Sequence, residues 1–298
     1  MSTANNYERI TAAIQGMLAG EVPSWRRPWR TLRENGIATM PRNAVTGRSY
    51  RGVNACILWS RQDADMRFLT YRQAQERGGH VRKGEHGEQV AFWQKREYKA
   101  RGEDGTETDK SSLLLKIYTV FNLSQCEGVE LPKPRDAVQP LPPPPVMSEV
   151  YAKLGAVVDH GGDHAFYAPG PDRIGLPRPE AFKDADAYSA TALHELTHWT
   201  GHNDRLARDL GKRFGTQGYA AEELVAEIGS AFLCASLGVN SALEHHASYI
   251  ENWRTLLRDD SRAIITAASK AQAAADYLLA RIRPEESAED TADGEVQS

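Results

Sequence analysis

Two histidines four residues apart, with a glutamate after the first, stand at His194-Glu195-Leu196-Thr197-His198. On an α-helix, residues at i and i+4 share a face, so both imidazoles can reach one divalent metal while Glu195 stands beside it. Neutral imidazoles suit zinc, and an incomplete protein shell leaves a position for water. Water there becomes acidic enough to lose a proton near neutral pH. Glu195 is placed to take that proton as general base and to pass it to a leaving amine. The chemistry this spacing serves is amide hydrolysis, with Glu195 as the catalytic group and His194 and His198 as metal ligands.

The motif needs a helix, and its surroundings supply one. Tyr188, Ala192, Leu193 and Leu196 form an apolar run that Gly201 follows, predicting a helix over 185–200 whose motif face lies at a buried site. The bland alternative is a pair of surface histidines that hold no metal. Two histidines do not complete a site, so a third donor must come from elsewhere. Glu222-Glu-Leu-Val-Ala-Glu227-Ile predicts a helix with Glu223 and Glu227 on one face among apolar neighbours that imply burial. Asp204 and His202, just past the motif, compete with them for the role.

The chain of 298 residues, 41% hydrophobic and 26% charged, has the length and balance for two globular domains. The first 100 residues hold 17 Lys and Arg against 9 Asp and Glu, and the rest holds 19 against 31, so a basic half precedes an acidic one. That split points to a polyanionic partner for the N-terminal half, the alternative being a mildly basic domain with no anionic partner. No apolar run is long enough to span a membrane and the first residues lack the order of a secretory signal, so a cytoplasmic location without a membrane partner is expected. Cys56, Cys126 and Cys234 are odd in number and widely spaced, which predicts reduced thiols.

Prolines fill 131–146, Leu-Pro-Lys-Pro-Arg-Asp-Ala-Val-Gln-Pro-Leu-Pro-Pro-Pro-Pro-Val, and neither a helix nor a central strand continues through them. An extended linker is expected there, between a domain at 1–130 and another at 147–283. Residues 284–298 are acidic and small, which predicts a disordered tail. In the first domain, helices are expected over 5–18 and 53–59, and paired strands over 89–99 and 113–122. In the second, helices are expected over 148–158, 185–200, 219–237 and much of 243–282, with short strands at 165–167 and 173–176. The fold class is α+β: an N-terminal α+β domain and a mainly helical C-terminal one.

The basic half interleaves cations with rings, as in Trp25-Arg26-Arg27-Pro28-Trp29-Arg30 and Trp93-Gln94-Lys95-Arg96. Single-stranded nucleic acid is held in this way, by cations along its backbone and aromatic faces under its bases. No helix-turn-helix or zinc-finger pattern favours duplex readout. Arg42, Arg48, Tyr50 and Arg51 lie in a turn-rich stretch before a helix whose amides could add to phosphate binding, and Arg82 and Lys83 lie in a second such turn. The candidate DNA contacts are thus Trp25, Arg26, Arg27, Trp29, Arg42, Arg48, Tyr50, Arg51, Arg82 and Lys83. About half of all the rings are expected in the core instead, Phe92 and Trp59 above all.

Several ordered segments resemble the ArdC family of plasmid-borne antirestriction proteins, whose N-terminal domain is similar to that of TraC-type primases. They are Pro41-Arg-Asn-Ala-Val-Thr-Gly-Arg-Ser-Tyr-Arg-Gly-Val-Asn54, Val81-Arg-Lys-Gly-Glu85, Val120-Phe-Asn-Leu123, His194-Glu-Leu-Thr-His-Trp-Thr-Gly-His202, Glu222-Glu-Leu-Val-Ala-Glu-Ile-Gly-Ser-Ala-Phe-Leu233 and Asp260-Ser-Arg-Ala-Ile-Ile-Thr-Ala-Ala-Ser-Lys270. The resemblance implies a domain that binds single-stranded DNA, a zincin-like metallopeptidase domain, and a role in protecting incoming plasmid DNA from host restriction during conjugation. Similarity to thermolysin-like zincins implies that Glu223 is the third ligand and that Glu227 orients a ligating imidazole, although the order could be reversed. The spacing from His194 to Asp204 instead resembles metzincins, but no Met-turn follows. A His2Glu set accepts zinc or manganese. The peptidase reading adds a host protein as substrate, and the alternative is a DNA-binding protective protein whose metal is purely structural.

Overall fold

The computed structural model describes residues 3–18, 40–61, 63, 65–101, 107–131, 145–210, 217–239, 253 and 255–284. The protein has two domains, the first rich in strands and the second mainly helical. The first domain opens with α1 (Thr3–Leu18), whose Ile10 and Ile14 sit one turn apart and are both buried. β1 (Arg42–Asn43), α2 (Val53–Leu58), β2 (Arg67–Thr70), α3 (Tyr71–Glu76), β3 (His80–Val81), β4 (Glu88–Arg101), β5 (Glu107–Asn122) and β6 (Cys126–Glu127) follow. Thr70 starts α3 through a reciprocal capping box with Gln73. The main sheet runs β1-β2-β5-β4, with β1 parallel to β2 and the other pairs antiparallel. β2 meets β5 only at Val120, Phe121 and Asn122, so β4 and β5 continue beyond it as a two-stranded ribbon.

The pairing of the expected strands is observed, with one correction to their faces. Ala91 and Trp93, opposite Ile117 and Leu115, pack into the core near α1 and α2. Asn54 of α2 fixes this side by donating to the Ala91 carbonyl and accepting from its amide, both at 2.7 Å. Side chains alternate across a strand, so Phe92 points to the other side and is 55% exposed, against the expectation that it lies in the core. Trp59 is buried as expected, at 1%.

The second domain starts with α4 (Met147–Leu154), which ends earlier than the helix expected over 148–158. Gly155 takes a left-handed conformation at φ 67° and closes the helix, and the chain then enters strand β7 (Val157–His160). β8 (Phe166–Ala168) and β9 (Arg173–Leu176) complete a sheet of order β7-β9-β8, with β8 antiparallel at one edge. The long helices α5 (Ala185–Trp199), α6 (Gln217–Leu237) and α7 (Ala263–Ile282) follow, and residues 255–259 are also helical. A Cβ at Gly229 of α6 would lie 2.6 Å from the Thr197 methyl, so this glycine lets α6 approach α5 closely. Most of the proline-rich segment, 132–144, and the tail at 285–298 lie outside the described residues.

One hydrophobic core runs through both domains. Trp59 packs on Phe232 of α6 with ring centroids 5.5 Å apart. Across the same seam, the Gly52 amide donates to Gln272 at 3.0 Å, the Thr11 hydroxyl donates to the Ser261 carbonyl at 2.6 Å, and Arg51 pairs with Asp276.

Candidate metal centre

Asp184 caps α5 by accepting from the Ala187 amide at 2.7 Å, and the helix buries Ala192, Leu193 and Leu196. These contacts fix the rotation of the helix and present His194 and His198 toward α6. There the two Nε2 atoms meet one carboxylate: His194 Nε2 lies 3.6 Å from Glu223 Oε2, and His198 Nε2 lies 3.5 Å from Glu223 Oε1. A tetrahedral ion with arms of ~2.1 Å separates its ligands by about 3.4 Å. The donor atoms of His194, His198 and Glu223 all lie within 4.8 Å of one another, so the set fits one divalent metal.

Each imidazole has a carboxylate near its other nitrogen. Glu227 Oε1 is 3.9 Å from His194 Nδ1, and Glu222 Oε1 is 3.2 Å from His198 Nδ1. A carboxylate there favours the Nδ1–H tautomer and leaves the Nε2 lone pair for the metal. Glu222 is in turn gripped by Arg208, whose Nε and Nη2 donate to it at 3.1 and 2.8 Å while Nη1 and Nη2 also reach Thr200 Oγ1 and the Thr197 carbonyl. Glu222 and Arg208 were missed in the sequence. Glu222 sits beside Glu223 and carried a visible signal, but Arg208 lies in an irregular loop whose path no pattern predicts.

That loop doubles back from the end of α5. Arg205 stacks on Trp199, with its guanidinium carbon 3.7 Å from the ring centroid, and donates to Asp172 at 3.0 Å. Asp204 is exposed and pairs with His202 at 3.5 Å, and neither belongs to the donor cluster. Glu195 faces a cleft of about 1100 Å³ lined also by Phe166, Tyr167, Phe182 and Tyr219. Burial pushes the Glu195 carboxyl up, opposed by the two imidazoles, and the Tyr167 backbone amide on edge strand β8 donates to it.

Burial alone disfavours a charged His198, yet Glu222 and Glu223 outweigh it and push the imidazole up to about 10; His194 is raised for the same kind of reason. Burial would raise Glu223, but the imidazoles hold it well below the usual carboxylate range. A raised folded-state pKa means that acid favours the protonated imidazole, so protons compete with metal at neutral pH. Each displaced proton gives a factor of about ten per pH unit. The apparent dissociation constant for zinc is therefore expected to fall by ~100-fold or more from about pH 6 to about pH 8, read by competition with a chelating dye. An affinity flat across that range would contradict the site.

The N-terminal candidates are spread more widely. Trp25, Arg26, Arg27 and Trp29 lie outside the described residues. Arg42 and Arg48 are exposed on a turn held by Asn43, whose side chain accepts from the Val45 and Thr46 amides at 3.0 Å. Tyr50 packs edge-on against Phe68, which gives its ring a structural job. Arg51 is drawn to Asp276 across the domain seam, and Arg82 pairs with Glu85 at 2.7 Å beside an exposed Lys83.

A donor cluster between two helices, with a glutamate held against an edge strand, defines a metal domain of the zincin-like metallopeptidase type, and residues 145–270 match that family. Residues 4–121 match the N-terminal domain of anti-restriction factor ArdC. The metal-free crystal structure of the antirestriction protein ArdC from plasmid R388 is 36% identical, with a TM-score of 0.74, covering 93% of this chain and 98% of that one. Its Mn(II)-bound structure is 35% identical with a TM-score of 0.71, over 94% and 98%. Uncharacterized protein y4eC of Sinorhizobium fredii is 38% identical over 92% of both chains. A DNA primase TraC of Escherichia coli is 37% identical over 90% of this chain but only 19% of its own length, and a second TraC matches over 26% of its length. The chain belongs to the ArdC family of antirestriction proteins.

Proposed function

We propose that this protein binds single-stranded DNA through its N-terminal domain, protects incoming plasmid DNA from restriction during conjugation, and cleaves a host protein at its metal centre. The observation that carries the peptidase part is the convergence of His194, His198 and Glu223 with Glu195 beside them on the cleft. A bound divalent ion would supply Lewis acidity toward a carbonyl and water. Glu195 would take the proton from water and deliver it to the leaving amine. The cleft beside β8 has room for several residues of extended peptide. Zinc fits the donor set, and the Mn(II)-bound relative makes manganese the competing metal. None of the described helices is long and apolar enough to cross a membrane, and no disulfide joins Cys56, Cys126 and Cys234. The DNA-protecting role would place the protein in the cytoplasm.

The second reading gives the metal a purely structural role, and the placement of the donors as a clamp between α5 and α6 favours it. Glu195→Gln separates the two. Under the peptidase reading, the variant keeps its metal and loses cleavage of a co-purified host substrate by about 100-fold or more. Cleavage at the wild-type rate would sink the general-base assignment. Unchanged protection of transferred plasmid DNA in that variant would leave DNA binding as the protective act.

A further inference from the structure

We propose that the outward face of the β4–β5 ribbon is a track on which bases of single-stranded DNA stack. This rests on the DNA-binding reading above and assigns it to residues outside the candidate set. Strand alternation puts Phe92, Gln94, Arg96 and Tyr98 on this face, with Lys116, Leu114 and Ser112 opposite the first three and Tyr118 two residues beyond Lys116 on β5. Phe92 is 55% exposed, Tyr98 44%, Tyr118 43% and Leu114 36%. A strand face turned from the core ordinarily carries polar side chains, so this ring-rich surface asks for a partner.

The charge says which partner. The eight positions Phe92, Gln94, Arg96, Tyr98, Ser112, Leu114, Lys116 and Tyr118 of this face include an arginine and a lysine but no acidic residue. Arg96 and Lys116 form no ion pair among the described residues. On the reverse face, Lys95 pairs with Glu97 at 2.8 Å, so the charges there are mixed. Phe92 and Tyr118 meet edge to face, with centroids 5.9 Å apart and planes at 85°, giving two differently tilted platforms. From Phe92 to Tyr98 the strand advances about 20 Å at ~3.4 Å per residue, long enough for several nucleotides. Sheet-borne rings that stack two or three bases are a general solution for single-stranded nucleic acid. Free cations without acids fit a polyanion better than they fit a second copy of this chain.

The test is anisotropy of a fluorescent 12-mer oligothymidylate titrated with the full-length chain at two salt concentrations, against a duplex of equal length. Phe92→Ala with Tyr118→Ala is expected to weaken single-strand binding by about 25-fold or more, fivefold for each ring at the low end of stacking, with the salt slope kept. Arg96→Gln with Lys116→Gln is expected to weaken binding and lower the log–log salt slope by about 1.4, at ~0.7 per phosphate contact. Phe92→Tyr is expected to bind as wild type. Unchanged far-UV dichroism and zinc affinity exclude misfolding as the cause. Wild-type binding that both double variants retain would overturn this assignment and leave the DNA-binding reading standing. A wild-type chain that ignores the oligonucleotide would remove both. Equal affinity for the duplex, or a dimer in sedimentation velocity that the ring variant dissolves while DNA binding persists, would also overturn it.

Discussion

Glu223→Gln is expected to lose more than ~100-fold in zinc affinity, and Glu222→Gln and Glu227→Gln only about 10- to 100-fold. The order follows from geometry. Glu223 offers both oxygens to the two Nε2 atoms at 3.6 and 3.5 Å, whereas Glu222 and Glu227 stand by the Nδ1 atoms on the far side of each ring. Loss of a partner that only orients an imidazole costs 10- to 100-fold, and loss of a ligand must exceed that. Glu222→Gln should also unsettle the loop, because it removes the charge opposite buried Arg208. Chelator competition on the three variants, with a melting curve for each, reads both effects. If Glu227→Gln proved the most damaging, the roles of Glu223 and Glu227 would have to be exchanged.

Trp59→Ala is expected to destabilise the protein by about 3–5 kcal/mol, the range for a large aromatic removed from a packed core. Trp59 belongs to the first domain by sequence, but its ring lies against Phe232, less than three turns along α6 from Glu223. The loss should therefore appear in both domains at once. Urea unfolding followed by far-UV dichroism and by release of bound zinc should give one coincident transition, shifted together in the variant. Two separate transitions, with only the first moved, would mean that the seam carries little of the stability.

Much of the candidate metal centre was legible because helical spacing is local information. His194 and His198 had to share a face, and Glu223 and Glu227 likewise, whatever the tertiary fold. Their rank could not be read, since it depends on the close approach of α5 and α6 at Gly229. Arg208 was invisible for a related reason, because its reach to Glu222 depends on a loop that folds back over α5. Phe92 shows the limit in strands. Val90, Ala91, Phe92 and Trp93 are all apolar or aromatic, so composition did not say which parity faces the core, and the helices that settle the matter pack from elsewhere in the chain. The overlong helix at 148–158 reflects apolar spacing that carried through Gly155, although that glycine is itself a stop signal.

The apolar seam joining the halves bears on how such a protein can be inherited. A cut at the proline-rich segment would leave Trp59 bare on one side and Phe232 on the other, so neither half is a ready-made module for recombination. The larger TraC chains fit this, since 90% of the present sequence aligns with a minor fraction of each. Both halves align together within each TraC chain, and swapping one half between relatives should succeed only when the seam residues of the other are exchanged with it.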